Sequence, residues 1–362
     1  MVNTFAFIIH PIDPKRDVSR KFPLLGRVLS VQQINFLSTF FPPVFISEIT
    51  GIRSAATGRE VKGWFVACPY TPQRMLELPA PSVYRKIVQT GRLAERLGAQ
   101  ILGLGAFTSV VGDAGVTIAK QLAIPVTTGD SYTVAVAVDS VRAAAAQLGI
   151  APATATAAVV GATGAIGAAA AELIARAVRR LWLIGRRRPA LEALRDRIQR
   201  RSTAEVLIGD DLTGLREADL ILTVTSAVEA VIEPEHLKPG AVVCDVARPR
   251  DVSARVAAAR DDVLVIDGGM VEVPGDVNFH FDFGFPPRMA YACMAETITL
   301  ALEGRLESYT LGKDLTVDQV DEIARLAARH GFRLGGFRSF ERPVTAEQLE
   351  RVAAARRLET PA

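Results

Sequence analysis

TAAVVGATGAIGAAAAELIARAV, residues 156–178, decides the fold. Five apolar, partly β-branched residues (156–160) are followed by a small-residue turn and then by an alanine-rich run. That is the pattern of a buried strand, a tight turn and a helix. In a GxGxxG frame the turn reads Ala162-x-Gly164-x-x-Gly167, with Gly161 ahead of it. Small residues let the backbone approach a pyrophosphate, and the helix N-terminus offers free amides and partial positive charge. Without a sheet around it, the same glycine turn would be mere packing.

Five more aliphatic runs follow: 181–184, 204–208, 219–224, 241–246 and 262–266. Most are separated by helical or polar stretches. Short, fully apolar strands alternating with helices predict a parallel sheet covered on both faces. The expected fold class is α/β: a doubly wound NAD(P)-binding Rossmann sheet with an N-terminal α/β substrate domain ahead of it. The cofactor contacts expected from the turn are Gly161, Ala162, Thr163, Gly164, Ala165 and Ile166. Thr225 and Ser226 after the fourth strand, and Gly268 after the sixth, stand at carboxyl strand ends where ligands bind in such sheets. Ordinary turn chemistry would place the same residues there. Where an NAD site usually holds an acid, the second strand ends in Gly185-Arg186-Arg187-Arg188. Arginine gives a 2′-phosphate charge-assisted, bidentate hydrogen bonds, so Arg186 and Arg187 predict NADPH as the cofactor.

The first half is less periodic. TFAFIIHP (4–11) predicts a strand, 83–97 an amphipathic helix, ILGLG (101–105) a buried strand, and 131–149 one long helix. GAFTS (105–109) and TTGDS (127–131) each follow an apolar run and supply glycine, hydroxyls and amides. Gly105, Phe107, Thr108, Ser109, Gly129 and Ser131 are therefore candidate substrate contacts, or caps. A helix is expected from about Pro287 to Glu303, with Cys293 in its second turn, too deep to gain much from the helix dipole. A cysteine inside a helix is ordinarily a small buried hydrophobe. Cys68 is a rival nucleophile, and Cys244 reads as core. The expected domains are 1–130 for substrate, 131–150 a connecting helix and 151–285 for NADP. Residues 286–343 are expected to be a helical segment packing back between the domains, and 344–362 a polar tail.

The chain's 362 residues suit two or three domains, and its 49% apolar content suits a sizeable core. Its 42 basic against 39 acidic residues leave a net charge of +3, which argues against nucleic-acid binding. Three widely spaced cysteines form neither a disulfide framework nor a metal knuckle, so no metal is expected and the cytoplasm is the expected compartment. The N-terminal apolar stretch reads as a strand rather than a signal peptide, and no transmembrane segment is expected.

GAFTS, TTGDSYT, VVGATGAIG, DGG (267–269) and MAYACMAE (289–296), in this order, resemble the long-chain acyl-[acyl-carrier-protein] reductases of the cyanobacterial type. The resemblance runs from about residue 30 to 340. It implies NADPH-dependent reduction of an acyl thioester, carried by acyl carrier protein or coenzyme A, to a fatty aldehyde. It also implies that Cys293 is the acyl-accepting nucleophile. An aldehyde-consuming enzyme and a second copy of the chain are further expected partners. The competing readings are a shikimate/quinate-type dehydrogenase of a small hydroxy acid and a non-catalytic NADP sensor.

Overall fold

A computed structural model describes residues 2–359, which divide into two compact units. The first comprises residues up to Tyr132 together with Val271–Leu315 and Asp321–Arg333. The second comprises Thr133–Met270, Thr316–Val320 and residues from Leu334 onward.

In the first unit the chain forms β1 (Asn3–Ile9), three short helices α1 (Pro14–Lys21), α2 (Pro23–Val28) and α3 (Val31–Leu37), then β2 (Val44–Arg53) and β3 (Glu60–Ala67). A helix at Ala80–Arg96 precedes β4 (Leu102–Leu104) and β5 (Val126–Thr127). The sheet order is β2-β3-β1-β4-β5, with a further strand, Gly275–Asn278, outside β2. β3, β1, β4 and β5 run parallel, β2 runs antiparallel to β3, and the outermost strand pairs antiparallel with β2. Phe5, Ile8, Phe65, Leu102 and Leu104 are completely buried. Each such side chain contributes about 1.5–3 kcal/mol by leaving water. β2 and β3 were not foreseen. Their alternating burial is that of strands with one face on the core.

The six aliphatic runs of the second half become six strands: β6 (Thr156–Val160), β7 (Arg180–Ile184), β8 (Glu205–Gly209), β9 (Leu220–Thr223), β10 (Val242–Asp245) and β11 (Leu264–Asp267). They pair in the order β11-β10-β9-β6-β7-β8, all parallel. Read from β8, this is the doubly wound Rossmann order, and the switch point lies between β6 and β9. The helix Ala165–Ala175 begins at the glycine turn and buries Ala169, Ala170 and Ala171. Alanine combines high helix propensity with the small size that lets a helix approach a sheet closely. The stretch expected as a polar tail contains the helix Ala346–Glu359. Its Val352 is buried, and its Arg356 donates to Asp219 at 2.7 Å. Among the described residues no helix is long and apolar enough to cross a membrane.

The cysteine segment also differs from expectation. Met289–Tyr291 is a strand, and the helix runs from Ala292 to Glu303. Cys293 therefore lies in the first turn, not the second, where the helix dipole does act. Two prolines had suggested an earlier start, but Arg288 has a positive φ of 67° and the extended pairing that follows delays the helix.

Candidate functional site

Two sets of residues stand out, one in each unit. In the second unit the glycine turn leaves β6 at the switch point. Gly161 has φ +82°, and a side chain there would come within 2.5 Å of the Val224 carbonyl oxygen, at the end of the neighbouring β9. Gly167 packs directly on the Gly161 backbone, so any side chain would push the helix off the strand. Gly164 is different. A Cβ there would meet only the Gly161 carbonyl oxygen, at 3.4 Å, and otherwise open space. Two glycines thus satisfy packing while the third keeps bare backbone facing an open volume at a helix N-terminus. This is the cradle a dinucleotide pyrophosphate requires, and the residues present fit the group.

The arginines after β7 divide by partner. Arg187 donates to the Thr163 carbonyl at 3.1 Å, tying its loop to the glycine turn. Arg188 pairs with Glu192 on its own helix. Arg186 is exposed at the end of the strand. Thr225 has its hydroxyl and amide on the buried carboxylate of Asp251, at 2.5 and 2.8 Å, so it shapes the loop after β9. Ser226 is exposed beside it. Gly268 is buried between Val246 and the Cys244 sulfur, which leave no room for a side chain.

In the first unit Cys293 is half-buried, whereas Cys68 and Cys244 are fully buried. Burial pushes the Cys68 thiol up to about 11; what sets Cys293 apart is that it is partly exposed while Cys68 is sealed in the core. Gly129, at φ +78°, lies flat against the backbone and Cβ of Cys293, so only a bare backbone fits there. Three residues on, Glu296 is completely buried. Its Oε1 accepts from Thr127 at 2.5 Å and Thr310 at 2.9 Å. Its Oε2 accepts from the Ser131 hydroxyl at 2.5 Å and the Tyr132 amide at 2.9 Å. A buried carboxylate is tolerable only when its lone pairs are filled in this way. The network fixes the TTGDS loop against the cysteine helix. Thr297 adds a second tie, packing on Gly103 of β4.

Burial, then the fields of Asp130 and Glu296, push the Cys293 thiol up to about 12, against the amides of Cys293 and Met294, which favour the thiolate. Asp130 is itself raised to about 7 by burial and by Glu296. The thiol is thus protonated at rest beside a carboxylate poised at neutral pH. Paired perturbations of this kind make the pair a candidate site of chemistry.

The structure brings Gly129 and Ser131 to Cys293 and its helix. The GAFTS turn is bonded within itself. Thr108 donates to the Gly105 carbonyl and Ser109 to that of Ala106, both at 2.7 Å. The Phe107 amide donates to buried His10 at 3.1 Å. The turn is strained at Ala106, with φ +46° and ψ −125°. Glu296, Asp130, Thr127 and Thr310 were not singled out from the sequence as site residues. The available signal was an acid three residues after a cysteine in an otherwise apolar helix, a position that demands buried partners.

The Shikimate / quinate 5-dehydrogenase family model matches residues 143–267. Quinate dehydrogenase from Corynebacterium glutamicum in complex with NAD is 14% identical, covering 73% of this chain and 87% of that one at a TM-score of 0.36. The aminotransferase PigE of Serratia sp. is 33% identical over 282 residues, 77% of this chain; those residues span a third of PigE's own length. The long-chain acyl-[acyl-carrier-protein] reductase of Synechococcus elongatus is 30% identical over 346 residues, 91% of this chain and 98% of that protein. With the doubly wound sheet and its glycine turn, these similarities describe an NAD(P)-dependent oxidoreductase. At that identity and near-complete coverage, the chain belongs to the family of the long-chain acyl-[acyl-carrier-protein] reductase.

Proposed function

We propose that the protein reduces a long-chain acyl thioester to the fatty aldehyde with NADPH, through an acyl group carried on Cys293. The observation that supports this most is the pairing of a half-buried cysteine in the first turn of a helix with a carboxylate raised to about 7.

The glycine turn holds the pyrophosphate on the Gly164 backbone and the helix N-terminus, and Arg186 takes the 2′-phosphate. Bound NADPH supplies the hydride. Asp130 accepts the Cys293 proton as sulfur attacks the thioester carbonyl, so the thiolate forms only when a substrate is present. The carbon–sulfur bond to the carrier breaks, and the carrier thiol leaves with the proton from Asp130. The amides of Cys293 and Met294, at the positive end of their helix, steady the charge on sulfur in attack and again when aldehyde departs. Glu296 touches no substrate in this scheme. It is a positioning residue that keeps Asp130 and Gly129 against the cysteine.

The experiment is the intact mass of the protein after incubation with an acyl thioester and no NADPH. The expected result is one added acyl group, mapped to Cys293 and released as aldehyde when NADPH is supplied. Aldehyde production with no adduct at any cysteine would replace the covalent route by direct hydride attack on the bound thioester.

A further inference from the structure

From residue 18 to 47 the chain contains no aspartate or glutamate, and Arg20, Lys21 and Arg27 are its charged residues. The structure leaves much of this apolar stretch in water. Phe22, Leu24, Leu25, Val28, Val31, Phe36, Phe40, Phe41 and Phe45 are all exposed, and they account for most of the large exposed hydrophobic side chains among the described residues. α2 carries Leu24, Leu25 and Val28, α3 carries Val31 and Phe36, Phe22 joins α1 to α2, and Phe40, Phe41 and Phe45 lie in the turn and strand that follow. Gly26 of α2 packs on Ser19 of α1, Ser30 caps α3, and the rings of Phe36 and Phe40 meet edge to face with centroids 5.5 Å apart. Lys86 holds the following turn by donating to the carbonyls of Thr39 and Phe41. The turn is therefore held in place with its rings outward.

We propose that this cluster docks the protein on the surface of an anionic lipid bilayer. Three observations select that occupant. Leu24, Phe40 and Val28 are 75%, 71% and 77% exposed. Side chains so open project outward and do not line a groove, which suits insertion into fluid acyl chains rather than a preformed protein pocket. Arg27 is exposed between Leu24 and Val28 on α2, and no acid occurs from 18 to 47, which matches anionic headgroups. With no acid in the stretch, its basic side chains also oppose a second copy, because a two-fold interface would set like charge against like. Among the described residues no helix can span a bilayer, so the contact is peripheral. It uses no residue of the cysteine or nucleotide sites and does not depend on the reaction proposed for them.

The test is co-sedimentation of the full chain with vesicles of phosphatidylglycerol and phosphatidylcholine, and of phosphatidylcholine alone. Binding to the anionic vesicles is expected, weaker in high salt and on phosphatidylcholine. Leu24→Asp with Val28→Asp, both at solvent-facing positions, should lower binding at least about tenfold, and Arg27→Gln about fivefold on anionic vesicles only. Leu358→Asp, at an exposed position elsewhere, should change nothing. Circular dichroism checks that each variant is folded. Failure of the wild-type chain to sediment, or equal binding by the double variant, overturns the proposal. So does a double variant that loses only binding to acyl carrier protein, or only self-association in light scattering.

Discussion

The nucleotide site and the cysteine site are built in opposite ways. The first is bare backbone: Gly164 faces open space and Arg186 stands in solvent. The second is buried side-chain chemistry: four hydrogen bonds converge on Glu296, and two neighbouring acids act on one thiol. Binding a large anion needs room and donors, which a turn and a helix end supply locally. Controlling a thiol needs groups from distant parts of the chain, held in a low-dielectric setting where their fields are strong.

The sharpest way to break this contrast is at Cys293. Cys293→Ser is nearly isosteric but replaces a good nucleophile and leaving group. Acyl adduct should vanish from the mass spectrum and aldehyde formation should fall by about a thousandfold or more, while nucleotide binding persists. Gly164→Val is the counterpart in the other unit. The space around Gly164 admits a side chain without disturbing the fold, so the melting temperature should hold while NADPH affinity, measured by fluorescence titration, falls about a hundredfold. The same change at Gly167 should instead unfold the helix–strand contact, a difference visible in thermal melts.

Glu296→Ala strands four buried donors. A loss of about 3 kcal/mol or more in denaturant unfolding is expected. Glu296→Gln should recover part of the stability but not the pH behaviour of the cysteine. Arg186→Ala should raise the KM for NADPH about 10- to 100-fold, the worth of a charge-assisted phosphate contact, and leave that for NADH unchanged. Equal effects on both would remove Arg186 from the phosphate.

The smallest effect concerns pH. Asp130 must be ionised to accept a proton, so kcat/KM should rise with pH through about 7, and Asp130→Asn should abolish that limb. The stability effect has the opposite sense. A carboxyl raised from 3.8 to about 7 binds its proton more tightly when folded, so its contribution is full below pH 3.8 and is lost as pH rises through 7. Asp130→Asn should therefore gain melting temperature relative to wild type at pH 8 and not at pH 4.

The legibility of the molecule follows the same division. All six runs read as strands in the second half are strands, because parallel strands covered on both faces need continuous apolar sequence and cannot hide. β2 and β3 escaped notice since a strand with one wet face alternates, and VFISEITGIR mixes that alternation with a glycine and charges. The cysteine helix was placed a turn too early because prolines mark helix starts but cannot report the extended pairing of Met289–Tyr291.

By itself the sequence determined the Rossmann unit, the presence and order of its six strands and the position of its glycine turn. Each of these depends on residues within a few positions of one another, through periodicity and backbone sterics. Only the tertiary structure decided which hydroxyls of the GAFTS and TTGDS loops are already engaged, that Arg187 braces the turn while Arg186 stays open, and that Glu296 gathers Thr127, Ser131 and Thr310 beneath the cysteine. Those partners lie up to 169 positions apart in the chain. Hydrogen bonds and desolvation act over a few ångströms of space, and nothing in local sequence encodes which distant groups will share them.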